Sequence, residues 1–312
     1  MLMSDAWLAD TRSELKTLLD VFDLHGKTLA SAQLKIVLEL LDAKPDKKLG
    51  HGDTDEDRRS LAPAMEPATF KAKNPLITKL SRVMTLSQDD CAGLQAMCQD
   101  VRQTGARRDI IRDGDRPERV HLILNGWACR YKILKNGKRQ ITALLLPGDF
   151  CDLHVGVLDR MDHAIGAITS TTFAYVDRLQ FEELTRSRPA IMRALWWATL
   201  VDEGVLRSWL VSLGVRTARE RVAHLICELR ERMRNIDRED GGQFAMPLTQ
   251  PDLAEALGLT AVHINRVVRQ LMKEGVLEIR KGQVTVLDLP ALTEIAEFDP
   301  SYLHAQSIDK HK

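Results

Sequence analysis

Residues Pro247–Gly282 read PLTQPDLAEALGLTAVHINRVVRQLMKEGVLEIRKG. Two helical periods lie on either side of one glycine. Leu253, Ala254 and Leu257 share a face of the first, and Ile264, Val267, Val268 and Leu271 share a face of the second. Steps of three and four are what a packed helix requires. Thr249 and Thr260 stand where an N-cap hydroxyl satisfies free N–H groups, Gly258 permits a tight turn, and Gly275 ends the second helix. Leu277 and Ile279, then Val284 and Val286, alternate around Arg280-Lys281-Gly282, the pattern of a two-stranded wing. Helix, turn, helix and wing in this order form the helix-turn-helix plan, a far more specific signal than a lone basic helix.

With its apolar face turned inward, the second helix directs Ala261, Val262, His263, Asn265, Arg266 and Arg269 outward. In this motif those positions enter the major groove. Arg266 can pair with both acceptors of a guanine, and Asn265 or His263 can bond a base edge or a phosphate. Ala261 or Val262 can touch a thymine methyl. Thr249, Gln250 and Thr260 lie at helix N-termini, whose backbone N–H groups attract phosphate. Lys281 adds a cation at the wing tip. These residues are the expected contacts to double-stranded DNA.

Composition limits how such a contact works. The chain of 312 residues carries 44 Lys and Arg against 44 Asp and Glu, and residues 247–283 carry five against four. Neutrality excludes indiscriminate coating of nucleic acid or membrane. It leaves recognition by shape and a few placed side chains. Five cysteines without regular spacing argue against a disulfide framework and for a cytoplasmic protein. No apolar run is long enough to span a membrane, and the N-terminus lacks a signal-peptide pattern. No Ser-His-Asp spacing, phosphate-cradling glycine loop or ordered metal-ligand set is present, so no enzyme, catalytic residue or metal site is expected.

Upstream, residues 217–236 predict one helix with Ala223, Leu225, Ile226 and Leu229 inward. Another runs from Pro189 to Gly214. On it Ala194, Ala198, Val201, Val205, Ser208 and Ser212 follow a 4-3-4-3-4 spacing. Such a small-residue seam lets a second helix approach, which predicts dimerisation, although a helix buried within one domain is also open. Ile191, Leu195, Leu206 and Leu210 are then free to pack on the preceding domain. Residues 100–178 change period: Val120, Leu122 and Leu124, then Trp127, Cys129, Tyr131 and Ile133, then Ile141, Ala143 and Leu145 alternate. Asn125-Gly126 and Asn136-Gly137 between such runs predict hairpins. The fold class is α+β: a β-roll over 75–188, a dimerisation helix over 189–215, a winged helix-turn-helix over 216–303 and a tail over 304–312. Residues 1–43 predict a helical extension and 44–74 a linker, with Met65 as an alternative start.

The strings GDRPERVHLILNGWACRYK (114–132), LPGDF (146–150) and LTQPDLAEALGLTAVHINRVVRQL (248–271) make the chain resemble the Crp/Fnr family of bacterial transcription regulators over residues 75–303. A subgroup of that family is similar through EFDPSYLH (297–304). The resemblance implies a cupin-like jelly-roll sensor domain of the cyclic-nucleotide-binding type, a homodimer on a pseudo-palindromic promoter site, and contact with RNA polymerase. It also marks three departures. Cyclic-AMP-binding members follow the GDF turn with Gly-Glu for the ribose and later carry Arg-Ser/Thr-Ala for the phosphate. This chain has Asp152-Leu153 and Asp162-His163-Ala164 at the corresponding positions, and an acid there repels phosphate. No cysteine precedes Cys91, which argues against the iron–sulfur centre of the oxygen-sensing branch. Val262 replaces the Glu that many members place before the critical Arg.

The effector stays open. Cys129, Cys151 and His154 in or beside roll strands are its candidate ligands, as a redox pair, a metal site or a haem site. The competing reading is that both cysteines are buried structural residues. A regulator acting through protein contacts of its N-terminal helices is a further alternative.

Overall fold

The computed structural model describes Lys16 and residues 74–116, 118–153 and 160–305. All but Lys16 belong to one compact unit, Leu61–Lys312. The expectations for 1–43 and for the linker fall outside the described residues, apart from Lys16 and Asn74, and so does His154.

Helices α1 (Pro75–Ser81) and α2 (Gln88–Ala96) open the unit. The Asn74 side chain accepts from Leu76 N–H to start α1, and Ser87 with Asp90 forms a reciprocal capping box on α2. Seven strands follow: β1 (Val101–Thr104), β2 (Asp109–Ile111), β3 (Arg119–Asn125), β4 (Ala128–Ile133), β5 (Arg139–Leu145), β6 (Ala164–Ala167) and β7 (Thr171–Asp177). They make two antiparallel sheets, ordered β1-β7-β3 and β2-β6-β4-β5. Ile111, Ile123, Ala128, Leu145, Ile165 and Phe173 come from both sheets and fill the roll interior. Val120, Leu122 and Leu124 point the other way and join the larger core shared with the helices.

The two Asn-Gly pairs behave differently. Asn136-Gly137 closes the β4–β5 hairpin as expected. Asn125-Gly126 does not: it carries the chain from β3 in one sheet to β4 in the other. Gly126 has φ +84°, and a Cβ there would come within 2.4 Å of the Ser170 carbonyl oxygen. The same turn chemistry thus serves a crossing between sheets. Along β5 the pairing steps from Ala143 to Ile141, passing over Thr142. This bulge breaks the expected alternation, so Ile141 and Leu144 enter the outer core while Leu145 faces the roll interior.

Helix α3 (Arg178–Ser187) leads into the 27-residue α4 (Pro189–Val215), then α5 (Ala218–Arg234). After β8 (Glu239–Asp240) and β9 (Gln243–Ala245) come α6 (Gln250–Leu257), α7 (Ala261–Lys273), β10 (Leu277–Arg280), β11 (Gln283–Val286), α8 (Leu289–Ala296) and a 3-10 turn (Pro300–Leu303). The wing is four-stranded, β10-β11-β9-β8, because the Gly241-Gly242 turn makes a hairpin that pairs with β11.

The expected dimer seam on α4 requires correction. Ala194, Val201, Val205 and Ser212 are buried within the single chain, and Ala198 and Ser208 are half-buried. The small residues do admit a close neighbour, but it is this chain's own C-terminal segment. A Cβ at Gly204 would lie 2.8 Å from the Tyr302 carbonyl oxygen. Ser208 Oγ lies 3.4 Å from His224 Nε2, and Ser212 Oγ accepts from Arg216. Of the residues expected against the roll, Ile191 and Leu195 are buried but Leu206 and Leu210 are not. The exposed stripe is Trp196 (68% exposed), Leu200, Leu206 and Leu210 (70%), crossed by a Glu203–Arg207 ion pair.

A buried charge network ties these elements together. Arg232 of α5 donates to Asp149 of the LPGDF turn at 2.8 Å, to the Leu144 carbonyl at 2.7 Å and to Glu228 at 3.2 Å. Lys79 of α1 reaches the other Asp149 oxygen at 2.6 Å. Glu228 accepts from Trp209 Nε1 of α4 at 3.0 Å and from Tyr302 Oη at 3.1 Å. Burial opposes ionisation of Asp149, yet Lys79 and Arg232 outweigh it and hold its pKa down to about 2. At Glu228 burial prevails and raises the pKa. Nearby, His224 packs between Phe298 and Tyr302, with burial and Arg216 lowering its pKa to about 4.

Two outcomes follow for stability. Arg232→Met leaves Glu228 buried without a cation and Asp149 with Lys79 alone, and urea unfolding at pH 7 should show a loss of about 3–5 kcal/mol; a loss under about 1 kcal/mol would contradict the network. Because the folded state resists protonating His224 until about pH 4, its contribution is fully present above the ordinary histidine value and declines as pH falls toward 4. His224→Phe should flatten that decline by roughly 2–4 kcal/mol, read from urea midpoints across the range; an unchanged slope would refute it.

Candidate nucleic-acid interface

The two helices of the motif are built by the caps that the sequence supplies. Thr249 and Asp252 form a capping box on α6, and Gly258 closes it at φ +63° in the left-handed region. The Thr260 side chain accepts from His263 N–H to start α7. Leu253, Ala254, Leu257, Ile264, Val267 and Leu271 are buried, with Val268 packed beside them. The inward face is therefore the one expected.

The outward face is open. Val262 is 82% exposed, Thr249, Gln250, Thr260, Arg266, Arg269 and Lys281 are exposed, and Ala261, His263 and Asn265 are half-buried. Pairing separates these cations from their neighbours. Arg219 is tied to Glu274 at 2.6 Å and Arg280 to Glu278 at 2.5 Å, and Arg221 donates to the carbonyls of Arg216, Leu213 and Leu257. Arg266, Arg269 and Lys281 make no ion pair or side-chain hydrogen bond among the described residues. Lys281 sits at the wing turn with φ +50°. Free cations on an exposed helix and an adjoining wing form a surface suited to phosphate and base edges.

The roll brings the effector candidates together less well. Cys129 and Cys151 lie in separate apolar clusters, Cys129 in the outer core and Cys151 in the roll interior. Burial pushes the Cys129 thiol up to about 11 and the Cys151 thiol well above its ordinary value. Neither is a ready thiolate. Asp152, where the resemblance places a ribose ligand, is buried and spent: its two oxygens meet the His121 backbone N–H and Nδ1, each at 2.8 Å. Asp162, where a phosphate ligand would stand, is an acid held by His163 Nδ1 at 2.5 Å. The sequence did not indicate His121, because its partner lies 31 positions away.

A β-roll joined through one long helix to a winged helix-turn-helix is the architecture of a DNA-binding transcription regulator. Comparison with known proteins agrees. Residues 220–295 match the family described as Crp-like helix-turn-helix domain, and residues 101–188 match the Cyclic nucleotide-binding domain. The chain is 33% identical over 200 residues to the transcriptional activator protein FnrL of Cereibacter sphaeroides, covering 62% of this chain and 79% of that one. It is 32% identical over 173 residues to the nitrogen fixation regulation protein FixK of Bradyrhizobium diazoefficiens, covering 55% and 71%. The solved structure of FixK2 from Bradyrhizobium japonicum superposes with a TM-score of 0.57 at 27% identity, covering 62% of this chain and 96% of that one. The chain belongs to the Crp/Fnr family of transcription regulators. Among the described residues no helix is long and apolar enough to cross a membrane.

Proposed function

We propose that this regulator acts in the cytoplasm as a homodimer on a pseudo-palindromic promoter site, where it meets RNA polymerase. Helix α7 reads the major groove. The unpaired, exposed cations Arg266 and Arg269, set beside the open face of Ala261, Val262, His263 and Asn265, carry this reading. Arg266 pairs with a guanine, Asn265 and His263 bond base edges or phosphate, and Val262 offers an apolar contact in place of an acid. Thr249, Gln250, Thr260 and Lys281 hold the DNA backbone.

Dimerisation uses the exposed stripe of α4, Trp196, Leu200, Leu206 and Leu210, rather than the small-residue side. Large apolar side chains this exposed on one helix mark a surface that a partner covers, and a second copy satisfies it with two-fold symmetry. The signal is sensed in the roll and is not a cyclic nucleotide. The occupation of Asp152 by His121 and the acid at Asp162 support that reading.

Arg266→Ala should weaken binding to the preferred duplex by about 1–3 kcal/mol and relax its guanine preference, as measured by anisotropy and footprinting; equal affinity with unchanged preference would remove Arg266 from the base contacts. Leu210→Glu should sediment as a monomer. A dimer as tight as the parent would exclude the stripe as the seam.

A further inference from the structure

Helix α6 is held from behind by the roll. Arg107, in the turn between β1 and β2, meets Asp252 with both terminal nitrogens, Nη1 to Oδ1 and Nη2 to Oδ2 at 2.7 Å. Asp252 is the residue that also caps α6 through Thr249. One turn along, Arg139 at the start of β5 bonds Glu255 at 2.7 Å, and Gln140 Nε2 donates to the Ala256 carbonyl at 3.4 Å. Arg139 is itself fixed by the roll. Its guanidinium lies 4.0 Å from the Tyr131 ring centroid, its other nitrogen donates to Cys129 Sγ at 3.2 Å, and Tyr131 Oη is tied to Asp109 at 2.6 Å. The contacts run along one side of α6, while α7 keeps its outward face open.

This arrangement bears on DNA recognition through geometry. The winged domain leaves α4 at the Arg216-Thr217 joint, and Arg232 ties its first helix, α5, to the roll; α6 and α7 lie beyond that tie. Two recognition helices must sit one DNA turn apart, so a swing of either one misaligns both half-sites. We propose that Arg107 and Arg139 are positioning residues for DNA recognition: by clasping Asp252 and Glu255 of α6, they fix the angle at which the roll presents α7. The clasp leaves the reading face unobstructed, so it preorganises binding and does not occlude it. The inference rests on the DNA-binding reading of α7.

The test exchanges the charges of one pair. The probe is the highest-affinity duplex that the full-length wild-type protein selects from a random double-stranded library. Arg139→Glu and Glu255→Arg alter net charge in opposite directions, so simple electrostatics would weaken one and strengthen the other. The clasp instead predicts that each single variant loses about tenfold affinity for the selected duplex, and that the double variant recovers most of it. Hydrogen exchange provides a readout independent of DNA: amides of β5 and α6 should exchange faster in both single variants and return in the double. Glu255→Arg binding as tightly as wild type, or a double variant no better than the weaker single, would overturn the clasp. Failure of the wild-type protein to select any duplex would instead overturn the DNA-binding reading on which it rests.

Discussion

Arg232 is the interaction on which the rest of this molecule depends. Its guanidinium is buried and meets an acid of the roll, a backbone carbonyl of the roll and an acid of its own helix. An ion in such surroundings is tolerable only when every partner is in place, because desolvation alone costs several kcal/mol. The roll, the first helix of the winged domain and the C-terminal turn must therefore close together or not at all. Trp209 and Tyr302, both on Glu228, extend the requirement to the long helix and the end of the described chain. Apolar packing supplies most of the stability, but the ions set the register in which these surfaces meet.

That constraint explains the face of α4 that is left over. The helix has one side of small residues and one of large ones. A sequence argument based on close approach assigns the small side to a second copy. The Tyr302 backbone at Gly204, with the Tyr302 ring stacked on His224 and Phe298 edge-on to both, takes that side instead. The large side chains Trp196, Leu206 and Leu210 are then exposed, the other side being filled by the segment around Tyr302.

What could be read in the sequence divides along sequence separation. The helix-turn-helix was legible because its caps, its turn glycine and its apolar faces lie within a few residues of one another: Thr249 with Asp252, Gly258, Thr260 with His263. The β4–β5 hairpin was legible for the same reason. Asn125-Gly126 was read wrongly, since turn chemistry gives the bend but not the identity of the strand that pairs. The Thr142 bulge, the Gly204 approach and the pairing of Asp152 with His121 were not legible. Each is decided by a partner from 11 to 98 positions away.

The zero net charge takes its meaning from this last class of contacts. A count of 44 against 44 treats every ion alike, but the structure sorts them. Arg232, Arg139, Arg107 and Arg130 are committed to internal acids, Arg130 to Asp202 at 2.8 Å. Arg266, Arg269 and Lys281 are not. Among the described residues, internal acids take up a set of cations that hold the elements together, while α7 and the wing keep exposed cations outside that set. Cations held in internal pairs are not available to phosphate, whereas those on the open face of α7 and at the wing are. Neutrality in this protein is the sum of two populations of charge, one that holds the domains in register and one that is left free to meet a nucleic acid.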